Sequence, residues 1–178
     1  MESMSDYPES LVRKRHLFSG VPVTIRPIRA EDKDIEQSFV RGLSQDSRYY
    51  RFMEQMRELS PAKLKYFTEI DYDRHMALIA TVEIDGSERE VAVARYVAAP
   101  GNDACEFAIA VDDAYQGTGL AGLLMAALID SARAHGFKTM EGLVLTDNHK
   151  MLKFARQLGF EIRPEPGEAG SRRILLRL

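Results

Sequence analysis

Polar and apolar positions in this chain follow two periods, two and about 3.6, and the switches between them outline the elements. Residues 1–10 read as a loosely docked end, with acidic and small residues ahead of Pro8. LVRKRHLF is followed by Ser19-Gly20 and then VPVTIRPI. Two β-rich runs around a glycine-bearing pair predict a hairpin, its second strand confined by Pro22 and Pro27. A helix is predicted to start near Glu31, because Glu31, Asp32 and Asp34 suit the positive end of a helix dipole. A second is predicted from near Ser47, with Tyr49, Phe52, Met53 and Met56 at helical spacing. Ser60-Pro61 reads as an N-cap and an N1 proline opening a third helix that carries Leu64 and Phe67.

The middle of the chain switches to a period of two. MALIATVEI, a turn at Asp85-Gly86-Ser87 and VAVARYVAA form a hairpin pattern. Pro100-Gly101-Asn102-Asp103 turns into another strand, CEFAIAV. From Gly119, the residues Leu120, Leu123, Leu124, Ala127 and Leu128 mark one face of a long helix that Gly136 is placed to end. TMEGLVLT reads as a strand, and Asn148 caps a helix with Met151, Phe154, Ala155 and Leu158 on one face and Gly159 at its end. FEIRP and RRILLRL bracket the loop EPGEAG as a final strand pair. This order predicts an α/β (α+β) fold, a central mixed sheet with helices on both faces.

Composition narrows the classes. The 178 residues are 45% hydrophobic and 29% charged, enough apolar mass for the core of one soluble domain. The formal charge of −3 gives no basic excess for nucleic acid or an anionic membrane. The longest apolar stretch, Leu120 to Ile129, is far shorter than the roughly 20 residues of a membrane span. MESMSDYPES has neither the basic start nor the apolar core of a secretory leader. Cys105 is the only cysteine, so an internal disulfide and a multi-cysteine metal site are excluded, and the four histidines show no metal spacing. A cytoplasmic protein without metal, nucleic acid or membrane partner is the expectation, with the oligomeric state open.

The most informative segment is VDDAYQGTGLAGLL, Val111 to Leu124. A strand ends, an acidic turn follows, and small residues open a helix whose first amides are unpaired donors, a setting that suits a pyrophosphate. A tight turn with glycines used only for packing is the plain alternative. Gly117, Gly119 and Gly122 also spell the dinucleotide fingerprint, with Asp147 as a ribose ligand. Its context is poor: Asp112 to Gln116 intervene after the strand, and too little chain remains for both halves of a dinucleotide fold.

The run Gln116-Gly117-Thr118-Gly119-Leu120-Ala121 resembles the (Gln/Arg)-x-x-Gly-x-(Gly/Ala) signature of the GNAT acetyltransferase superfamily. Asn148 with HKMLKFARQLGF, ending in Gly159-Phe160, resembles that superfamily's second motif. IRPIRAED and LSQDSRYYRFM further resemble the catalytic domain of bacterial protein-lysine acetyltransferases, so the likeness covers almost the whole chain. It implies a mostly antiparallel GNAT sheet, with residues 1–20 as an N-terminal segment bearing an edge strand and 21–178 as one acetyltransferase domain. It implies acetyl-CoA as cosubstrate and direct transfer to an amine, foremost a protein lysine. The alternatives are a small polyamine-like acceptor and a non-catalytic CoA-binding module. Residue by residue, Ile109 and Val111 would pair with the pantetheine arm, and Gln116, Gly117, Thr118, Gly119, Leu120 and Ala121 would hold the pyrophosphate. Asn148 would contact the pantetheine or diphosphate, or serve only as a helix cap.

Such a reaction needs a neutral amine. A free lysine has a pKa of about 10.4, so deprotonation near pH 7 costs about 4–5 kcal/mol, and a carboxylate base removes that cost. Glu106, flanked by Cys105 and Phe107, takes the position of the glutamate base in similar protein-lysine acetyltransferases; the alternative is a solvated strand residue. The tyrosine with which many members protonate the leaving thiolate is replaced by Ala155. Tyr115 and His149 are weak substitutes by proximity in sequence. Cys105 has no local histidine to make it a nucleophile. Asp46, Asp71, Asp73 and Asp112 are acidic groups that would steer a cationic acceptor if they lay at the cleft. Met53 and Met56 belong to a helix expected to wall the acceptor side.

Overall fold

The computed structural model describes residues 6–44 and 57–178. In chain order it runs through β1 (Arg13–His16), β2 (Pro22–Pro27), α1 (Lys33–Gly42), α2 (Pro61–Thr68), β3 (His75–Ile84), β4 (Ser87–Val97) and β5 (Ala104–Val111). It continues with α3 (Leu120–Ala134), β6 (Thr139–Leu145), α4 (His149–Gln157), β7 (Glu161–Glu165) and β8 (Glu168–Arg177). The strands form one sheet in the order β1-β2-β3-β4-β5-β6-β8-β7. All neighbours are antiparallel except β5 and β6. The α/β expectation, with a mostly antiparallel GNAT-like sheet, holds.

Local chemistry explains most boundaries. Ser60 Oγ accepts the Lys63 N–H at 3.2 Å with Pro61 in the first helical position, as the sequence predicts. The turn between β3 and β4 is shorter than expected: it comprises Asp85 and Gly86, and Ser87 already pairs with Ile84. The final hairpin also closes earlier than EPGEAG implies, with Glu165 paired to Glu168 around Pro166-Gly167. The predicted helix carrying Tyr49, Phe52, Met53 and Met56 lies outside the described residues, as does Asp46.

The sheet buries both faces. On one, Met76, Leu78, Ala80 and Val82 of β3 meet Leu124, Met125 and Leu128 of α3 and Leu152 and Ala155 of α4. On the other, Ala77, Ile79, Val93 and Ala110 meet Phe39 and Val40 of α1, with Leu64 and Phe67 of α2 packed alongside. Each helix thus covers the residues that alternation sends to its own side. The entry to α1 is fixed by charge. The Arg26 guanidinium donates to both Asp32 carboxylate oxygens at 2.7 Å, and to Glu88 at 2.9 Å, while Asp32 also accepts the Arg29 N–H at 2.9 Å. The Arg26 and Asp32 side chains are each 5% exposed.

Removing one member of a buried pair leaves the other charged and unsolvated. Asp32→Ala is therefore expected to lower unfolding free energy by about 3 kcal/mol, read by urea denaturation. The retained Glu88 contact keeps the loss from being larger.

Candidate functional site

The site begins where two parallel strands part. β5 and β6 pair only at Ala104 with Thr139, Cys105 with Met140 and Glu106 with Glu141. Beyond Glu106, β5 stays bound to β4 as far as Val111, and β6 stays bound to β8 as far as Leu145. The Asp112 N–H donates to Val91 O on the β4 side at 2.9 Å. Because successive strand residues turn their amides to opposite sides, Val111 and Ile109 turn theirs toward the gap. Such unpaired groups need a partner, and an extended ligand laid along the gap supplies one.

A cavity of about 1190 Å³ opens over this gap. Its lining brings together Ile109, Val111, the whole run from Gln116 to Ala121, and Asn148. Gly117 and Gly119 have φ of 74° and 87°, a left-handed conformation that turns the chain from the strand into α3. The first helical bond runs from the Leu123 N–H to Gly119 O at 3.2 Å, so the amides ahead of it are free at the positive end of the helix. A diphosphate matches those donors.

Several predicted side chains brace the loop as well as lining it. Gln116 Nε2 donates to Asp113 Oδ1 at 3.2 Å and to Val111 O at 3.4 Å, and the Thr118 hydroxyl donates to Tyr115 O. Asn148 Oδ1 accepts the Met151 N–H at 3.1 Å, so the helix-cap role is real, and its Nδ2 protons are not used by the cap. Asp112 accepts the Ala114 N–H at 2.9 Å. Asp71 accepts the N–H groups of Asp73, Arg74 and His75, each at 2.9 Å. Those two carboxylates hold turns.

Glu106 lies at the closed end of the gap, outside the cavity lining. It is exposed, and among the described residues its carboxylate makes no hydrogen bond or salt bridge, with the Arg173 guanidinium near enough to act on it electrostatically. It shares its face with Ala110, which packs toward α1. Its neighbour Glu141 accepts from Arg173 at 3.2 Å. From Val111 back to Glu106 is about 17 Å of extended strand. Tyr115 and His149 line the cavity beside the glycine loop, at the far end from Glu106. Ala155 is fully buried beneath α4. Burial pushes the Cys105 thiol up to about 12, which disfavours the nucleophilic thiolate. No group of histidine, cysteine and carboxylate among the described residues is arranged to hold a metal ion, and no described helix is long and apolar enough to cross a membrane.

The sequence reading missed His16 and Phe18, which also line the cavity. The Phe18 N–H donates to Thr118 O at 3.1 Å, so the β1–β2 turn is tied to the glycine loop. The Ser19-Gly20 pair locates that turn in the sequence, but no local pattern places it 100 residues away.

A doubly wound dinucleotide fold has a mostly parallel sheet, whereas here β5 and β6, on either side of the glycine turn, are the one parallel pair among the described strands. Residues 37–160 match the model of the acetyltransferase (GNAT) family. The chain is 40% identical over 153 residues to an acetyltransferase of Pseudomonas aeruginosa, covering 86% of this chain and 82% of that protein. It is 35% identical over 136 residues to acetyltransferase Pat of Mycolicibacterium smegmatis, covering 76% of this chain and 40% of that longer protein. The crystal structure of the GNAT domain of S. lividans PAT superposes with a TM-score of 0.87 at 30% identity, covering 97% of this chain and all of that domain.

The loop glycines differ in what the fold asks of them. A Cβ on Gly119 would meet the Phe18 ring at 2.8 Å in a left-handed backbone, whereas a Cβ on Gly122 would meet nothing within 4 Å. Gly119→Ala is expected to lose about 1–2 kcal/mol of stability or more, and Gly122→Ala to lose none and gain up to about 1 kcal/mol. Paired denaturant titrations check the contrast.

Proposed function

Because the chain belongs to the GNAT acetyltransferase family, with acetyl-CoA as its donor, we propose that it acetylates protein lysines, with Glu106 as the general base. The observation that carries this reading is an exposed carboxylate, with no hydrogen bond among the described residues, at the point where β5 and β6 part. On it, the diphosphate rests on the amides of residues 116–121 and the pantetheine arm runs along Ile109 and Val111 toward Glu106. Asn148 adds its free Nδ2 protons from the opposite side of the gap.

The chemistry follows from that order. Glu106, directly or through one water, takes a proton from the lysine ammonium. The neutral amine attacks the thioester carbonyl, a C–N bond forms, the C–S bond breaks, and the thiolate leaves and takes up a proton. Tyr115 and His149 sit at the diphosphate end, so neither is assigned as the acid, and water supplies that proton. Lysine as acceptor is supported by the resemblance of IRPIRAED and LSQDSRYYRFM to bacterial protein-lysine acetyltransferases.

Glu106→Gln is expected to cut kcat/KM by about 10²-fold or more while leaving CoA binding unchanged. A thermal-shift titration reads the binding: saturation at 100 times Kd adds about 2.7 kcal/mol, or roughly 5–10 °C for a domain of this size. Full activity in that variant would remove Glu106 from the mechanism. The acceptor is read by acetyl transfer from labelled acetyl-CoA to a cell extract, with polyamines as competitors; turnover on small amines with no labelled protein would replace lysine with a small-molecule acceptor.

A further inference from the structure

We propose that Phe18, on the β1–β2 turn, is the platform on which the purine base of acetyl-CoA stacks. Phe18 is 87% exposed, while Val21, Tyr66 and Ile84, the other large exposed apolar side chains among the described residues, reach at most 52%. A phenylalanine so exposed loses the benefit of burial unless something covers it.

The ring is exposed but held in place. Leu17 before it is 4% exposed and belongs to the core under α3. The Leu17 N–H donates to Val21 O at 2.9 Å, the Gly20 N–H to Leu17 O at 2.8 Å, and the Phe18 N–H to Thr118 O at 3.1 Å. These bonds fix the turn against the glycine loop. The far edge of the ring stands over Gly119, where an added Cβ would come within 2.8 Å of Cζ. An aromatic face is therefore presented at the rim of the cavity, directly beside the helix amides that the proposed donor site gives to the diphosphate.

Acetyl-CoA has one aromatic group, the adenine, and it is joined to that same diphosphate through a single ribose. Base-on-aromatic stacking suits a preordered ring that no other ring among the described residues covers. The strand leading into the turn is basic. β1 reads Arg13-Lys14-Arg15-His16, every residue exposed, in a chain of net charge −3. Among the described residues, Arg13 and Arg15 donate only to neighbouring backbone carbonyls, of Ser10 and Val12 and of Lys14 respectively. His16, at the end of this basic strand, also lines the cavity, and the strand leads directly into the Phe18 turn, which fits the phosphorylated adenosine end of the donor.

This inference rests on residues 116–121 holding the diphosphate. Its test is isothermal titration of the wild type, Phe18→Ala and Phe18→Trp with CoA and with 4′-phosphopantetheine, which lacks the nucleotide. Phe18→Ala is expected to weaken CoA about tenfold and to leave 4′-phosphopantetheine unchanged, while Phe18→Trp retains CoA affinity. Unchanged CoA affinity in Phe18→Ala overturns the platform and leaves the donor site standing. Equal weakening of both ligands also overturns it, since the substitution would then act by distorting the loop. Failure of the wild type to bind either ligand strikes the donor site itself, and the platform with it.

Discussion

Three residue pairs hold the two halves of the sheet together, and the rest of the molecule is arranged around that shortness. β4 and β5 pair at six positions and β6 and β8 at seven, yet β5 and β6 pair at only three. The strands part at the next residue. The Phe107 ring packs on Gly142, where a Cβ would come within 2.7 Å of it, and stacks against Phe160 at 5.2 Å. A large ring facing a glycine satisfies the core beneath α4 as the two strands begin to part. The gap between the strands leaves backbone groups without a partner strand, with the glycine loop at its open end and Glu106 at its closed end.

The two faces of the sheet then carry different work. The α3–α4 face is a continuous apolar core, which keeps the loop and the ends of both strands fixed. The α1–α2 face, on which Glu106 lies, is tied by buried charge. Arg95 is 3% exposed, lies 3.7 Å from Glu36 and contacts His75 at 2.8 Å. Glu90 is also buried, and burial first, then the neighbouring Glu36 carboxylate, holds its pKa well above the usual carboxylate range. Charges buried at this depth are costly unless paired, so they tie α1 to the sheet at this place.

Much of this was legible in the sequence because the signals are local. Ser60-Pro61 caps a helix, Asn148 caps another, and the glycines at 117 and 119 have to turn a strand into a helix wherever the rest of the chain lies. The turns around Ser87 and Glu168 were drawn too long because polar residues at strand ends look like loop when only composition is read; pairing across the hairpin decides them. Contacts between distant segments were not legible. Nothing near Phe18 signals Thr118, and nothing near Arg26 signals Glu88. Tyr115 and His149 were judged by closeness in sequence to the motif, whereas the length of β5 separates them from Glu106.

That separation bears on Ala155, at the position where the family resemblance leads one to expect a tyrosine in many members. The proposed reaction moves two protons, and they are unequal. An amine of pKa about 10.4 resists deprotonation at pH 7 by about 4–5 kcal/mol, so the base is indispensable. An alkyl thiolate, with a pKa near 8.5, leaves unprotonated at a penalty of only about 2 kcal/mol at the same pH. Bulk water reaches an open gap, and a thiolate that departs there finds its proton without a dedicated acid. On that proposal Glu106 stands where the larger barrier lies, and position 155 is left to the core, where a small side chain packs between α4 and the sheet.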